Sequence, residues 1–358
     1  MAKQQKPAPD KSSATRPAAD KTPFHAVVEK VQRGTITDKE FSDFFVAQPN
    51  PRQPFDFTIG VNRGAVDLGA VERSGKMADA LVHDAAAGRD ARVRAAKPPA
   101  AYKRKSPLVD EGDSWFRLPP VIRPETLIDQ LQQSDGYPFD NFAHWGDTLA
   151  DMILRGEFWA PLVSGEADTF LLSGGGNDVL SGQEGIASFL NQYDVDHDKP
   201  TDAPYYIKRE FYDNLQTLLA SYESLIQRVH VRTPHVIMLG HGYDYVIPRE
   251  DGPWIGNGMA FRGLSPSFKP ALCQAIIRIM IDAFNGGLSR FANVYSNYRY
   301  VDLRGAIPKT QWFDELHPTA AGAEKTAARF DTALRKLPAS DDFAAPAIAS
   351  AAVFGRAA

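Results

Sequence analysis

Asp168-Thr169-Phe170-Leu171-Leu172-Ser173-Gly174-Gly175-Gly176-Asn177-Asp178 decides the fold. Its first half is a compact apolar run, which reads as a strand buried on both faces. The run stops at Ser173-Gly174-Gly175-Gly176, where clustered glycines mark a turn. The same order of elements recurs on either side. Leu108-Val109 is a short strand before Gly112-Asp113-Ser114, residues 124–133 read as a helix, 141–145 as a second strand, and Thr148 towards Leu162 as one further helix. Downstream, residues 205–229 place Ile207, Phe211, Leu215, Leu218, Tyr222 and Leu225 at three- and four-residue steps, so one helical face is buried. Residues 235–239 form another buried strand, followed by a helix near 271–284, a strand near 293–303 and a closing helix over 319–337. Strands alternating with helices predict an α/β fold, a parallel sheet with helices on both faces. In that class functional residues gather at the carboxyl ends of the strands.

The whole chain of 358 residues, 43% hydrophobic and 23% charged, has the composition of a globular protein. The single cysteine, Cys273, excludes an intramolecular disulfide and a Cys-rich zinc site. Its place in an apolar run reads as a buried, inert thiol. The net charge of −4 hides an asymmetry: residues 1–105 hold 19 Lys and Arg against 12 Asp and Glu, about +7, leaving about −11 for the rest. The basic residues are scattered, without interleaved aromatics, so no nucleic-acid partner is expected. Docking of residues 1–105 on a partner or a membrane surface stays open.

Three segments follow from composition. Residues 1–105 read as a basic, mostly disordered extension, with 3–23 and 69–105 poorest in apolar surface. A short helical piece is expected within 24–46, where Phe24, Val27, Val28 and Val31 have helical spacing and Thr37-x-x-Glu40 precedes Phe41, Phe44 and Phe45 like a capping box. Residues 106–338 form the catalytic domain, and 339–358 an Ala-rich tail. Neither a signal peptide nor a run of roughly 20 apolar residues is readable. A cytoplasmic location is the default expectation, with export independent of a signal peptide as the alternative.

Three motifs carry chemistry. Gly112-Asp113-Ser114 alone is a turn with a helix cap or a nucleophile turn. Gly174-Gly175-Gly176-Asn177-Asp178 lacks the Gly-Lys-Ser/Thr of a phosphate loop and the dinucleotide-binding glycine spacing. Asp314-Glu315-Leu316-His317-Pro318 sets an acid and a histidine three residues apart, within reach of one region. Taken in order, these blocks resemble those of the SGNH (GDSL-like) hydrolase family over residues 106–337, with Gly146 of Trp145-Gly146-Asp147 matching the family's lone-glycine block.

The resemblance implies a three-layer, flavodoxin-like α/β/α fold and a serine esterase that needs no cofactor or metal. Ser114 is then the nucleophile, His317 its base and Asp314 the carboxylate that orients the imidazole. The backbone N–H groups of Ser114 and Gly146 and the Asn177 amide form the oxyanion hole. The substrate is a small-molecule or lipid ester. An acyltransferase with the same triad, and a non-catalytic module with a basic docking arm, are the alternatives. Trp115 and His241 are expected to line the pocket, and Asp113 and Asp178 to hold loops. Asp194, Asp196, His197 and Asp198 lack regular ligand spacing and read as a solvated acidic loop.

Overall fold

The computed structural model describes residues 21–32, 40, 43–49, 57–68, 98–118, 125–180, 185–250 and 252–340. Five strands form one sheet: β1 (Leu108–Gly112), β2 (Phe139–Asn141), β3 (Thr169–Ser173), β4 (Ile237–His241) and β5 (Tyr298–Val301). They are hydrogen-bonded in the order β2-β1-β3-β4-β5, and every junction is parallel. This is the doubly wound order expected from strands that alternate with helices. All residues of β1, β3 and β4 are buried, which is why Phe170–Leu172 and Ile237–Leu239 run apolar without alternation, whereas β1 buries Asp110 and Glu111.

The helices are α1 (Leu127–Gln133), α2 (Leu149–Arg155), α3 (Trp159–Ser164), α4 (Gly176–Leu180), α5 (Arg209–Arg232), α6 (Gly256–Phe261), α7 (Pro270–Val294) and α8 (Ala320–Arg335). α1 packs beside α8, whereas α2 and α7 pack on α5. Thr126 and Thr148 cap α1 and α2 through reciprocal bonds with Asp129 and Asp151, satisfying amide groups that a helix start leaves open. By length and hydropathy alone α7 would suffice to cross a membrane, yet its Leu272, Ile276, Ile277, Met280, Phe284 and Leu288 face is buried. Cys273 lies on the same face, where burial pushes its thiol up to about 12.

Several boundaries differ from the sequence reading. The single helix expected from Thr148 towards Leu162 is two, because Gly156 adopts a left-handed conformation and ends α2. β2 begins before Asn141, in register with Leu108–Asp110. The helix expected from 205 starts at Arg209, because Ile207 bridges to Leu190 instead. α7 continues ten residues beyond Phe284.

The first hundred residues hold more structure than a basic extension implies. Phe24–Gln32 is helical as expected, but Phe45–Pro49 is a strand, paired antiparallel with Phe57–Val61. Phe45 is buried and Val46 half-buried, the alternation of a strand with one covered face. Within 24–46, Phe24–Gln32, Glu40, Asp43 and Phe44 are helical, and the strand begins at Phe45. The capping box at Thr37 lies outside the described residues, as do the stretches 1–20, 69–97 and 341–358. Phe24, Val27, Phe44, Phe45 and Val66 close a small core with Trp145 of the segment after β2.

The packed domain also begins before residue 106. The Tyr102 hydroxyl donates to Thr169 Oγ1 at 2.9 Å. Arg104 Nη2 donates to the carbonyls of Asp168 and His235 at 2.9 and 2.7 Å, and Nη1 to Pro338 at 3.1 Å. Arg104 Nε lies 3.4 Å from Asp168 Oδ1. The Lys103-Arg104-Lys105 triplet reads as a solvated linker, yet its middle guanidinium is buried because the amino ends of β3 and β4 offer it a fork of acceptors.

A chain beginning at residue 106 is therefore expected to melt well below one beginning at residue 98. Arg104→Ala in the full chain should cost roughly 3 kcal/mol, the scale of breaking a buried ion pair, or about 6–12 °C at 2–4 °C per kcal/mol. Thermal melts of the three proteins check this; equal melting temperatures for the two truncated chains would return the boundary to residue 106.

Candidate active site

The carboxyl ends of β1 and β3 lie side by side, with Gly112 in register with Ser173. Asp113 N–H donates to the Ser173 carbonyl at 3.0 Å, and His144 N–H to the Gly112 carbonyl at 2.7 Å. A Cβ on Gly112 would lie 2.9 Å from both Phe116 Cδ2 and Ser173 Cβ, so no larger residue fits before the turn. That turn presents Ser114. The segment between β5 and α8 brings Asp314 and His317 to the same edge, 203 residues away in sequence from Ser114.

His317 Nδ1 donates to Asp314 Oδ2 at 2.8 Å, and Ser114 Oγ donates to His317 Nε2 at 2.8 Å. The tautomer follows from the network: a carboxylate on Nδ1 leaves Nε2 as the acceptor. Asp314 Oδ1 takes the N–H groups of His317 and Leu316 at 2.7 and 2.8 Å. Burial pushes the Asp314 carboxyl up, but the His317 ring and these two amides outweigh it and hold the group below the usual carboxylate range.

The three proposed oxyanion donors occupy neighbouring turns. Asn177 is buried, and its Nδ2 donates to the Asp147 carbonyl at 2.7 Å, which fixes the amide plane and leaves its second N–H for another acceptor. Gly146 has φ +83°, a conformation suited to a residue without Cβ. The Ser114 and Gly146 N–H groups have no acceptor among the described residues. A small cavity, open to solvent, is lined by Ser114, Trp115, Asn177, Leu180, Tyr243, Val246, Ile281 and Leu316, with Asp113 and Gly176. Gly146 is not part of that lining; it precedes Asp147, whose carbonyl holds Asn177.

Trp115 lines the cavity and His241 does not. His241 ends β4 with no exposed surface, enclosed by Trp115, Phe116, Tyr243 and Phe330. Burial without a carboxylate partner depresses its imidazole to about 3, so it is a neutral core residue, shielded from the cavity by Trp115. Asp178 takes the Leu149 N–H at 2.9 Å and ties α4 to the start of α2. Burial raises its carboxyl to about 6. In the acidic loop, Asp194 caps Asp196 N–H, Asp198 pairs with Lys269, and His197 stacks on Tyr205. Asp194 and His197 serve their own loop, and Asp198 ties that loop to Lys269 at the start of α7.

Glu315 was not singled out by the sequence, although it stands between Asp314 and His317. Its buried carboxylate takes four backbone N–H groups: Arg249 and Gly256 on Oε1 at 3.0 and 2.7 Å, Trp254 and Ile255 on Oε2 at 2.9 and 3.0 Å. Ile247 N–H donates to its carbonyl. The turn that carries Asp314 and His317 is thus clamped to the segment after β4. A glutamate in a surface turn looks ordinary in sequence; only the distant amides reveal it.

No protein-family model and no curated protein matches the sequence. Solved structures to which the chain is similar include an extracellular lipase from Streptomyces rimosus, at 16% identity and TM-score 0.42, covering 63% of this chain and 98% of that one. Phospholipase A1 from Streptomyces albidoflavus NA297 is similar at 19% identity and TM-score 0.38, over 63% and 98%. A family 3 carbohydrate esterase from Clostridium thermocellum is similar at 17% and 0.37, over 64% and 96%.

Glu315→Ala would strand four amides, each costing about 1–3 kcal/mol if it stays dry; the expected net loss is roughly 2–4 kcal/mol, after water reaches some of them. Denaturant unfolding measures it, and a loss below 1 kcal/mol would mean the clamp is solvated in solution.

Proposed function

We propose that this chain is a serine-type ester hydrolase of the SGNH kind. The observation that carries the reading is the unbroken relay from Asp314 through His317 to Ser114, with both links at 2.8 Å. A serine hydroxyl is a weak nucleophile at its own pKa and needs a base within hydrogen-bond reach. His317 Nε2 takes the Ser114 proton as Oγ attacks the ester carbonyl. Asp314 keeps the imidazole in the useful tautomer and stabilises the imidazolium.

Charge then builds on the carbonyl oxygen. The second N–H of Asn177 and the backbone N–H groups of Ser114 and Gly146 are the donors available to it, held beforehand by their turns. His317 returns the proton to the departing alkoxide, leaving an acyl group on Ser114. Water, deprotonated by His317, attacks that acyl-enzyme, and Ser114 leaves with the proton. Trp115, Leu180, Val246, Ile281 and Leu316 give the cavity an apolar wall, which suits an acyl chain better than a charged group.

Ser114→Ala is expected to abolish turnover of p-nitrophenyl esters and labelling by a fluorophosphonate probe while the fold persists. Asp314→Asn should lower kcat by up to about 10⁴ by misdirecting the tautomer. Asn177→Ala should lower kcat by about 10²–10³ with little change in KM. Steady-state kinetics on purified variants decide the matter: parental turnover in Ser114→Ala refutes the nucleophile, and a KM effect alone in Asn177→Ala makes that residue a substrate contact.

A further inference from the structure

Gly240-His241-Gly242-Tyr243-Asp244-Tyr245 follows the apolar run of β4, and Tyr243 has no part in the relay. Its backbone is the sole non-glycine with positive φ among the described residues, at +65°. Such conformations persist only where surrounding structure over-determines them, and they cluster at functional sites. Here the over-determination is visible. Buried Asn285 donates through Nδ2 to the carbonyls of Gly242, Tyr243 and Ile281 at 2.5, 3.3 and 2.8 Å. Its Oδ1 takes the Tyr300 hydroxyl at 2.5 Å. The ring meets Trp115 edge to face and lies nearly parallel to Phe284. Backbone and ring are therefore both fixed, and the phenol has one direction to point.

It points between the two turns that carry the chemistry. The Tyr243 hydroxyl donates to Asp113 Oδ2 and accepts the Gly176 N–H at 2.9 Å. Asp113 Oδ1 also takes Ser173 Oγ at 2.9 Å and the Trp115 N–H at 3.0 Å. Asp113 precedes the nucleophile and Gly176 precedes Asn177. The ring is pressed against the second turn as well, since a Cβ on Gly176 would lie 3.1 Å from the phenol carbon and oxygen. Donor, hydroxyl and carboxylate form one polarised chain, which in a dry interior is stronger than its separate links.

We infer that Tyr243 is a positioning residue: its phenol braces the Ser114 turn against the Asn177 turn and so sets where the Asn177 donor stands relative to the attacking oxygen. The inference rests on the triad reading above. It places in Tyr243 the spacing between attack and oxyanion stabilisation, a distance on which catalysis depends steeply.

The test is a double-mutant cycle on the full chain with a short p-nitrophenyl ester. Tyr243→Phe keeps the ring and removes the brace; kcat should fall about 10–100-fold with KM nearly unchanged, the scale of a misplaced catalytic group. If the brace acts through Asn177, Tyr243→Phe in an Asn177→Ala background should lower kcat no more than about twofold further, because residues that act as a unit are not additive. A Tyr243→Phe with parental kcat beside an inactive Ser114→Ala overturns the brace alone. So does an equal loss in both backgrounds, which a purely structural tyrosine would give. Parental activity in Ser114→Ala removes the triad reading and this inference together. Should Tyr243→Phe not accumulate as folded protein, Asp113→Asn breaks the same chain from its other end and passes through the same cycle, with the same expected and overturning results.

Discussion

The pairing of β1 with β3 is the constraint on which the site depends. Gly112 stands opposite Ser173, and the strand ends approach so closely that a Cβ at Gly112 would meet Ser173 at 2.9 Å. From that register follow the Asp113 bond to the Ser173 carbonyl and the second one from Ser173 Oγ to Asp113. A slip of one residue would turn every side chain of either strand to the opposite face. Ser114 would then face away from His317, and the apolar run of β3 would meet the wrong helices. Core packing and the geometry of the site are therefore the same requirement.

Buried carboxylates around this edge differ in how they are satisfied. Asp113 has three donors and Glu315 has four. Glu111, on β1, takes the adjacent Gly112 N–H, and burial pushes its carboxyl up to about 8. Burial pushes the Asp113 carboxyl up as well, against its three donors. Asp113 and Glu315 use their donors to tie separate loops together, the first across the Ser114 and Asn177 turns and the second from the Asp314–His317 turn to the segment after β4. Both links are long in sequence and short in space.

The two histidines at this edge differ in what surrounds them. His317 and His241 are both buried. His317 faces a carboxylate on one nitrogen and a hydroxyl on the other. His241 faces aromatic rings, and burial alone holds it neutral. Apolar walls disfavour the imidazolium, whereas a carboxylate at Nδ1 makes it accessible during proton transfer. Trp115 stands between the two environments, one side on the cavity and the other on His241.

Local sequence determined the alternation of strands and helices, the apolar runs of β3 and β4 and the start of α2, whereas Ser114, Asn177, Asp314 and His317 stood out as a group through a family resemblance. The strands and helices are encoded within a few residues, by periodicity and by turn residues, so they can be read without knowing what packs against them. The tertiary structure alone decided the rest. Arg104 is a core residue because carbonyls from Asp168, His235 and Pro338 converge on it. His241 is shut in because aromatic residues from β1, β4 and α8 neighbourhoods meet around it. Phe45 shares a small core with Trp145, although the two are a hundred residues apart. Glu315 and Tyr243 gain their partners 59 or more residues away. Burial and hydrogen bonding between distant segments depend on which surfaces the sheet brings together, and no local pattern of residue types records that.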